Sequence, residues 1–105
     1  MLYKNFELGN LIKFNPTVNG HVEIGDVMIQ WFVALVPTNK KTIIQYPKPF
    51  KKYAYPLAIC YDYPDSNNIV VGSIAPRDNT SCFAISALED KSQANPNMRI
   101  LVIGN

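Results

Sequence analysis

The chain has 105 residues, enough for one domain with a core of its own. Only 17% of the residues are charged and the net charge is +2, far from the balance of a typical nucleic-acid binder. No apolar run approaches the roughly 20 residues of a membrane span, and the N-terminus lacks a signal peptide's apolar core. The sequence therefore predicts no membrane insertion and folding in a cytoplasm. Eight prolines, six tyrosines and five phenylalanines favour strands over helices.

Residues 1–18 carry apolar side chains without a clean period and read as an extended lead-in or the remnant of a stalk. Residues 19–105 form the domain proper. Asn19-Gly20 is a turn signal. His21 to Gly25 alternates around Val22 and Ile24, and Gly25-Asp26 turns the chain again. Val27 to Val36, rich in β-branched and aromatic residues, is the strongest strand. Pro37-Thr38-Asn39 ends it, and Lys40 to Tyr46 follows. Pro47, Pro49 and the lysines around Phe50 form a loop. Tyr53 to Tyr61 is a strand whose Pro56 requires an edge or a bulge. Pro64 to Asn68 is a polar loop. Ile69 to Ala75 is a strand, Pro76 to Asn79 a polar turn, and Thr80 to Leu88 a strand. Glu89 to Asn97 is a polar loop before the last strand, Met98 to Ile103. About six or seven short strands at this spacing predict an all-β fold, an antiparallel β-sandwich.

Several strands are apolar on both faces, where a half-solvated strand alternates. Val27, Ile29, Trp31, Val33 and Leu35 share one face; Met28, Phe32, Ala34 and Val36 share the other with Gln30. Trp31 reads as core. Cys82, Ala84 and Ser86 form a small, uncharged face, as do Ala58 and Cys60. A domain of this size has too few layers to cover so many apolar faces. The expectation is an obligate oligomer with the small-residue faces packed on neighbours; the alternative is that residues 1–18 cover one face. Cys60 and Cys82, the only cysteines, read as buried reduced thiols, with a cross-strand disulfide as the alternative.

In order along the chain, several segments resemble the C-terminal receptor-binding domain of bacteriophage tail-fibre proteins. These are Asn19-Gly20, Ile29-Gln30-Trp31, Ile43-Ile44-Gln45-Tyr46-Pro47 followed by Phe50, Phe83-Ala84-Ile85, and Ile103-Gly104 beside the chain end. Phe32 stands where that family has a glycine, and Met98-Arg99-Ile100 where it has an aromatic. The family is similar in turn to the H-type lectins. The resemblance implies an H-type-lectin-like homotrimer at the distal end of a virion's tail fibre, meeting a bacterial surface polysaccharide or outer-membrane receptor. A trimeric cap that only locks the fibre end is the runner-up, and a polysaccharide-degrading spike a third reading.

No catalytic set stands out. His21 is the only histidine, and no nucleophile elbow or phosphate loop is present. The Asp62 and Asp65 pair reads as solvated turn carboxylates rather than a glycosidase dyad. Two cysteines and one histidine do not make a metal site, so neither metal nor cofactor is expected. Five of the ten basic residues lie between Lys40 and Lys52, but both arginines lie elsewhere, and no nucleic-acid partner is expected.

The candidate ligand residues are polar and aromatic loop residues. Aromatic rings pack on the C–H faces of sugars, and carboxylates and amides bond their hydroxyls. Tyr61, Asp62, Tyr63, Asp65 and Asn67 form one candidate cluster. Arg77, Asp78 and Asn79 form a second.

Overall fold

The computed structural model describes residues 12–15, 19–62 and 70–105, with side chains described at 19–58 and 70–105. Among these residues there are eight strands and no helix: β1 (Ile12–Asn15), β2 (Gly20–Ile24), β3 (Val27–Leu35), β4 (Thr42–Gln45), β5 (Ala54–Asp62), β6 (Val70–Pro76), β7 (Ser81–Leu88) and β8 (Asn97–Gly104). All pairs are antiparallel. One sheet has five strands in the order β1-β2-β3-β8-β5, the other three in the order β4-β7-β6. From residue 19 onward these are the seven strands predicted from the sequence. Ile12–Asn15, within the expected lead-in, adds a strand to the sheet edge beside β2.

The core lies between the two sheets. Met28 and Phe32 of β3 and Met98, Ile100 and Val102 of β8 face Ile44 of β4 and Cys82 and Ala84 of β7. The expectation that the small-residue face of β7 meets a neighbouring subunit is overturned. Cys82, Ala84 and Ser86 are almost fully buried inside the sandwich, where their small size admits the bulky side chains of the facing sheet. Ala58 is partly buried against the same cluster. Trp31 is corrected in the opposite sense: it lies on the outer face of the five-stranded sheet, only partly buried, and not in the core. Cys82 is a free buried thiol; the side chain of Cys60 lies outside the described residues.

The motifs noted in the sequence have local physical reasons. Gln30, the one polar residue on the inner face of β3, is buried and bonds Lys48 twice: Nε2 donates to the Lys48 carbonyl (2.6 Å) and Oε1 accepts from its N–H (3.1 Å). That pair pins the β4–β5 loop to the sheet and satisfies a buried amide that would otherwise be costly. Tyr46 sits edge-on between Phe32 and Phe50, at centroid distances of 6.3 and 5.6 Å, favourable for aromatic quadrupoles. Gly104 ends β8 where the backbone of Tyr53 crosses so closely that a Cβ would run into the Tyr53 carbonyl and the Phe50 ring. Pro56 is accommodated because β5 is an edge strand, and the register slips by one residue between Ala58 and Cys60. Gly25, at φ 58°, opens the two-residue turn between β2 and β3.

Candidate functional site

The strand registers define two ends of the sandwich. At one end, Gly104 pairs with Met28 and Ala54, and nearby lie the Gly25-Asp26 turn, the Pro47–Tyr53 loop and the Arg77–Thr80 turn. At the other, Asn97 pairs with Leu35 and Asp62, and Val70 pairs with Leu88. Here lie the 36–41 and 89–96 loops and the two strand ends from which the β5–β6 loop departs. The backbone of Tyr61 and Asp62 therefore stands at the end of the sandwich opposite Arg77, Asp78 and Asn79. Tyr61 and Asp62 end β5, paired with Met98 and Asn97; their side chains, and Tyr63, Asp65 and Asn67 altogether, lie outside the described residues.

Arg77, Asp78 and Asn79 occupy the β6–β7 turn, and their polar atoms are largely engaged in building it. Asp78 Oδ1 accepts from the Thr80 N–H (2.8 Å), the Thr80 hydroxyl (2.8 Å) and the Ser81 hydroxyl (2.9 Å). Arg77 Nη1 donates to Asp78 Oδ2 at 2.9 Å and to Ser81 Oγ at 3.0 Å. The bonds from Thr80, then Ser81 and the Arg77 charge, hold the Asp78 carboxyl down at about 2. Asn79 Nδ2 donates to the Phe50 carbonyl (2.7 Å), while the Phe50 N–H donates to the Asn79 carbonyl (2.8 Å). The turn is thereby locked to the β4–β5 loop. Lys52, Tyr53 and Tyr55 join it around a shallow cleft of about 220 Å³. Both tyrosines are well exposed, so an aromatic and cationic surface surrounds the cluster.

At the Asn97 end the polar groups are disposed differently. The 36–41 and 89–96 loops are laced together by Val36 N–H to the Pro96 carbonyl (3.0 Å) and Thr38 N–H to the Ala94 carbonyl (2.9 Å). The Thr38 hydroxyl accepts from the Ala94 N–H (2.8 Å) and donates to the Ser92 carbonyl (3.4 Å). Between the loops is a cleft of about 380 Å³ whose lining includes Asn39, Lys40, Gln93 and Asn95. Sequence reasoning treated both segments only as strand-ending loops. Their meeting joins residues more than 50 positions apart, and no local pattern announces it.

Two apolar surfaces complete the picture. On the outer face of the five-stranded sheet, the registers align Val22, Ile29, Ile103 and Tyr55 in one row and Trp31, Leu101 and Leu57 in the next. Ile24, Val27 and Leu35 extend this face, and Arg99 and Asn97 are its polar members on β8. On the outer face of the three-stranded sheet lie Ile43, Phe83, Ile85 and Val71. There Lys41 Nζ sits 4.0 Å from the centre of the Phe83 ring and the Arg77 guanidinium carbon 5.9 Å from it. No group of His, Cys, Asp or Glu suited to a metal ion is found among the described residues.

No protein-family model matches the sequence, and no curated protein matches it. Solved structures do. The N-truncated R1-type pyocin tail fibre superposes with a TM-score of 0.69 at 17% identity, covering 99% of this chain and 93% of that one. The C-terminal part of the P. aeruginosa R1 pyocin fibre gives 0.66 at 18% identity over 90% of this chain; the chain spans 28% of that structure. An N-truncated R2-type pyocin tail fibre gives 0.65 at 15% identity over 90% of this chain and 37% of the other. The likeness to a tail-fibre domain read from the sequence is thus met by the architecture: this chain has the all-β fold of the pyocin tail fibres.

Proposed function

We propose that the chain is the tip domain of a tail fibre, that three copies assemble through the outer face of the five-stranded sheet, and that the trimer attaches a virion to a bacterial surface receptor, a saccharide, without catalysing a reaction. The observation that carries this reading is that apolar face. Ile24, Val27, Leu35, Tyr55, Leu57 and Ile103 are each between 38% and 64% exposed on one side of one sheet. A contiguous apolar surface of this kind marks an interaction site on a soluble protein. The domain is also long and thin, with principal extents of 58 × 28 × 14 Å. Of the two broad sides this one is the more apolar, with six exposed large apolar residues against Ile43, Val71 and Ile85 on the other, and it gains a further layer from other copies of the chain.

The threefold number, the position at the distal end of a fibre and the folding in a host cytoplasm are parts of the same proposal, and the shared fold with pyocin tail fibres supports the first two. Light scattering on the purified chain tests the assembly, with a mass three times the 11.8 kDa of one chain expected. Adsorption of the fluorescently labelled chain to a panel of bacterial strains tests attachment. Strain-dependent staining supports it, and absence of staining throughout favours a purely structural cap. Release of reducing sugar from the adsorbing strain's polysaccharide would instead reveal a degrading spike.

A further inference from the structure

Resting on the receptor-binding reading above, we infer that the cleft between the 36–41 and 89–96 loops is the saccharide site, and that it takes a neutral hexose or N-acetylhexosamine unit through the side-chain amides of Asn39, Gln93 and Asn95. Its volume of about 380 Å³ falls within the range of small-ligand sites, roughly 300–1,000 Å³. The chemistry of its lining is specific. Asn39, Gln93 and Asn95 are exposed, and their amide groups have no partner among the described residues. Each amide carries donors and an acceptor, the complement of a sugar hydroxyl, which both donates and accepts. The lining contains no carboxylate, and Lys40 is its single charge. The Arg77–Asn79 turn offers the opposite case, because its carboxylate and guanidinium are already held by their neighbours.

The cleft is also built before any ligand arrives. Five bonds fix its walls: the four that lace the two loops, and the Asn39 N–H donating to the Ser86 carbonyl at 2.8 Å. Asn39 itself has a left-handed backbone, φ 62°, a conformation that asparagine tolerates better than most residues. Fixed walls leave little ordering cost to offset the few hydrogen bonds that a single sugar can make.

The test is a heteronuclear NMR titration of the ¹⁵N-labelled chain with the methyl glycosides of glucose, galactose, N-acetylglucosamine and N-acetylgalactosamine. At least one glycoside is expected to shift the side-chain amide signals of Asn39, Gln93 and Asn95, with an affinity on the order of 1–10 mM. Gln93→Ala and Asn95→Ala remove groups that hold no part of the fold. Each should weaken binding about fivefold, the effect of one hydrogen bond, and the double variant should bind too weakly to measure. Shifts centred on Tyr53 and Arg77 overturn the proposal while leaving saccharide binding intact. Unchanged affinity in the double variant overturns it in the same way. No shift with any of the four glycosides, while the chain still stains cells, overturns it in favour of another receptor chemistry. Loss of staining as well brings down the receptor-binding reading itself.

Discussion

Leu57→Asp is the sharpest perturbation of the assembly. Leu57 lies on β5, is 53% exposed, and stands in one row with Leu101 and Trp31 on the apolar face. Full burial of a leucine contributes about 1.5–3 kcal/mol, so covering its exposed half in an interface contributes about 1 kcal/mol. An unpaired carboxylate in the same place adds about 3 kcal/mol of desolvation. The sum, about 4 kcal/mol per chain and about 12 kcal/mol per trimer, raises the concentration at half-assembly by about four orders of magnitude. A trimer stable at nanomolar concentration then dissociates in the micromolar range. Size-exclusion chromatography with light scattering at 1–10 μM reads this directly, and circular dichroism at 25 °C should show the parent's strand spectrum, since Leu57 is half in solvent in the single chain, while the melting point falls with the loss of assembly. Ile43→Asp is the control: it is 50% exposed on the outer face of the other sheet and should leave the trimer intact. If Leu57→Asp stays trimeric while Ile43→Asp comes apart, the broad face of the three-stranded sheet is the interface and the reasoning fails.

Three further outcomes follow from the interior and the turns. Gly104→Ala should lower stability by about 1–3 kcal/mol, read as a lower urea midpoint, because the new Cβ must displace the Tyr53 backbone. Asp78, ordinarily near 3.8, is held at about 2 by Thr80, Ser81 and Arg77, so its contribution is present above pH 4 and is lost as pH falls through 2. An NMR titration placing its midpoint near 3.8 would show that those bonds are absent in solution. Burial pushes the Cys82 thiol up to about 11 from 9.0, so the native chain should leave it unlabelled by a thiol reagent at pH 8 and the denatured chain should not. The stability held by that neutral thiol is complete below pH 9 and is lost as pH rises through 11.

The strands were legible because β-branched and aromatic runs are broken by Gly, Pro and Asn at nearly every turn, and seven strands from residue 19 match to within two residues at their ends. The two-faced apolarity of β3 and β8 was legible for the same reason. Which face meets the second sheet was not. Period-two alternation groups Met28 with Phe32 and Ile29 with Trp31, but it carries no sign for inside or outside when both sets are apolar. Small side chains on β7 suggested close approach of a neighbour. They reflect instead the volume of Phe32, Met98 and Ile100 across a filled core. The Arg77–Asn79 cluster was found as a polar turn, but sequence could not tell that Asp78 holds Thr80, Ser81 and Arg77. The cleft at Asn39 and Asn95 was invisible because it exists only where two loops meet, tied by Thr38 and Ala94.

The assembly and the cleft depend on each other in a way that can be measured. A millimolar site is worth about 4 kcal/mol, too little to hold a particle on a cell. In the proposed trimer three clefts carried at one end face the same surface, and engaging a second or third becomes intramolecular. Avidity can then exceed a single site by 10²–10⁴ with no new contact. Leu57→Asp separates the two effects, because it lies on the broad face and not among the residues of the cleft. In glycoside titrations the monomeric variant should keep the parent's millimolar affinity and the same shifts at Asn39, Gln93 and Asn95. In cell-adsorption assays it should bind at least 100-fold more weakly than the trimer. A monomer that adsorbs as well as the trimer would mean that one contact carries the whole attachment. Three amides in an open cleft cannot supply that, and the receptor would then be held by the tyrosine and lysine surface at the Gly104 end.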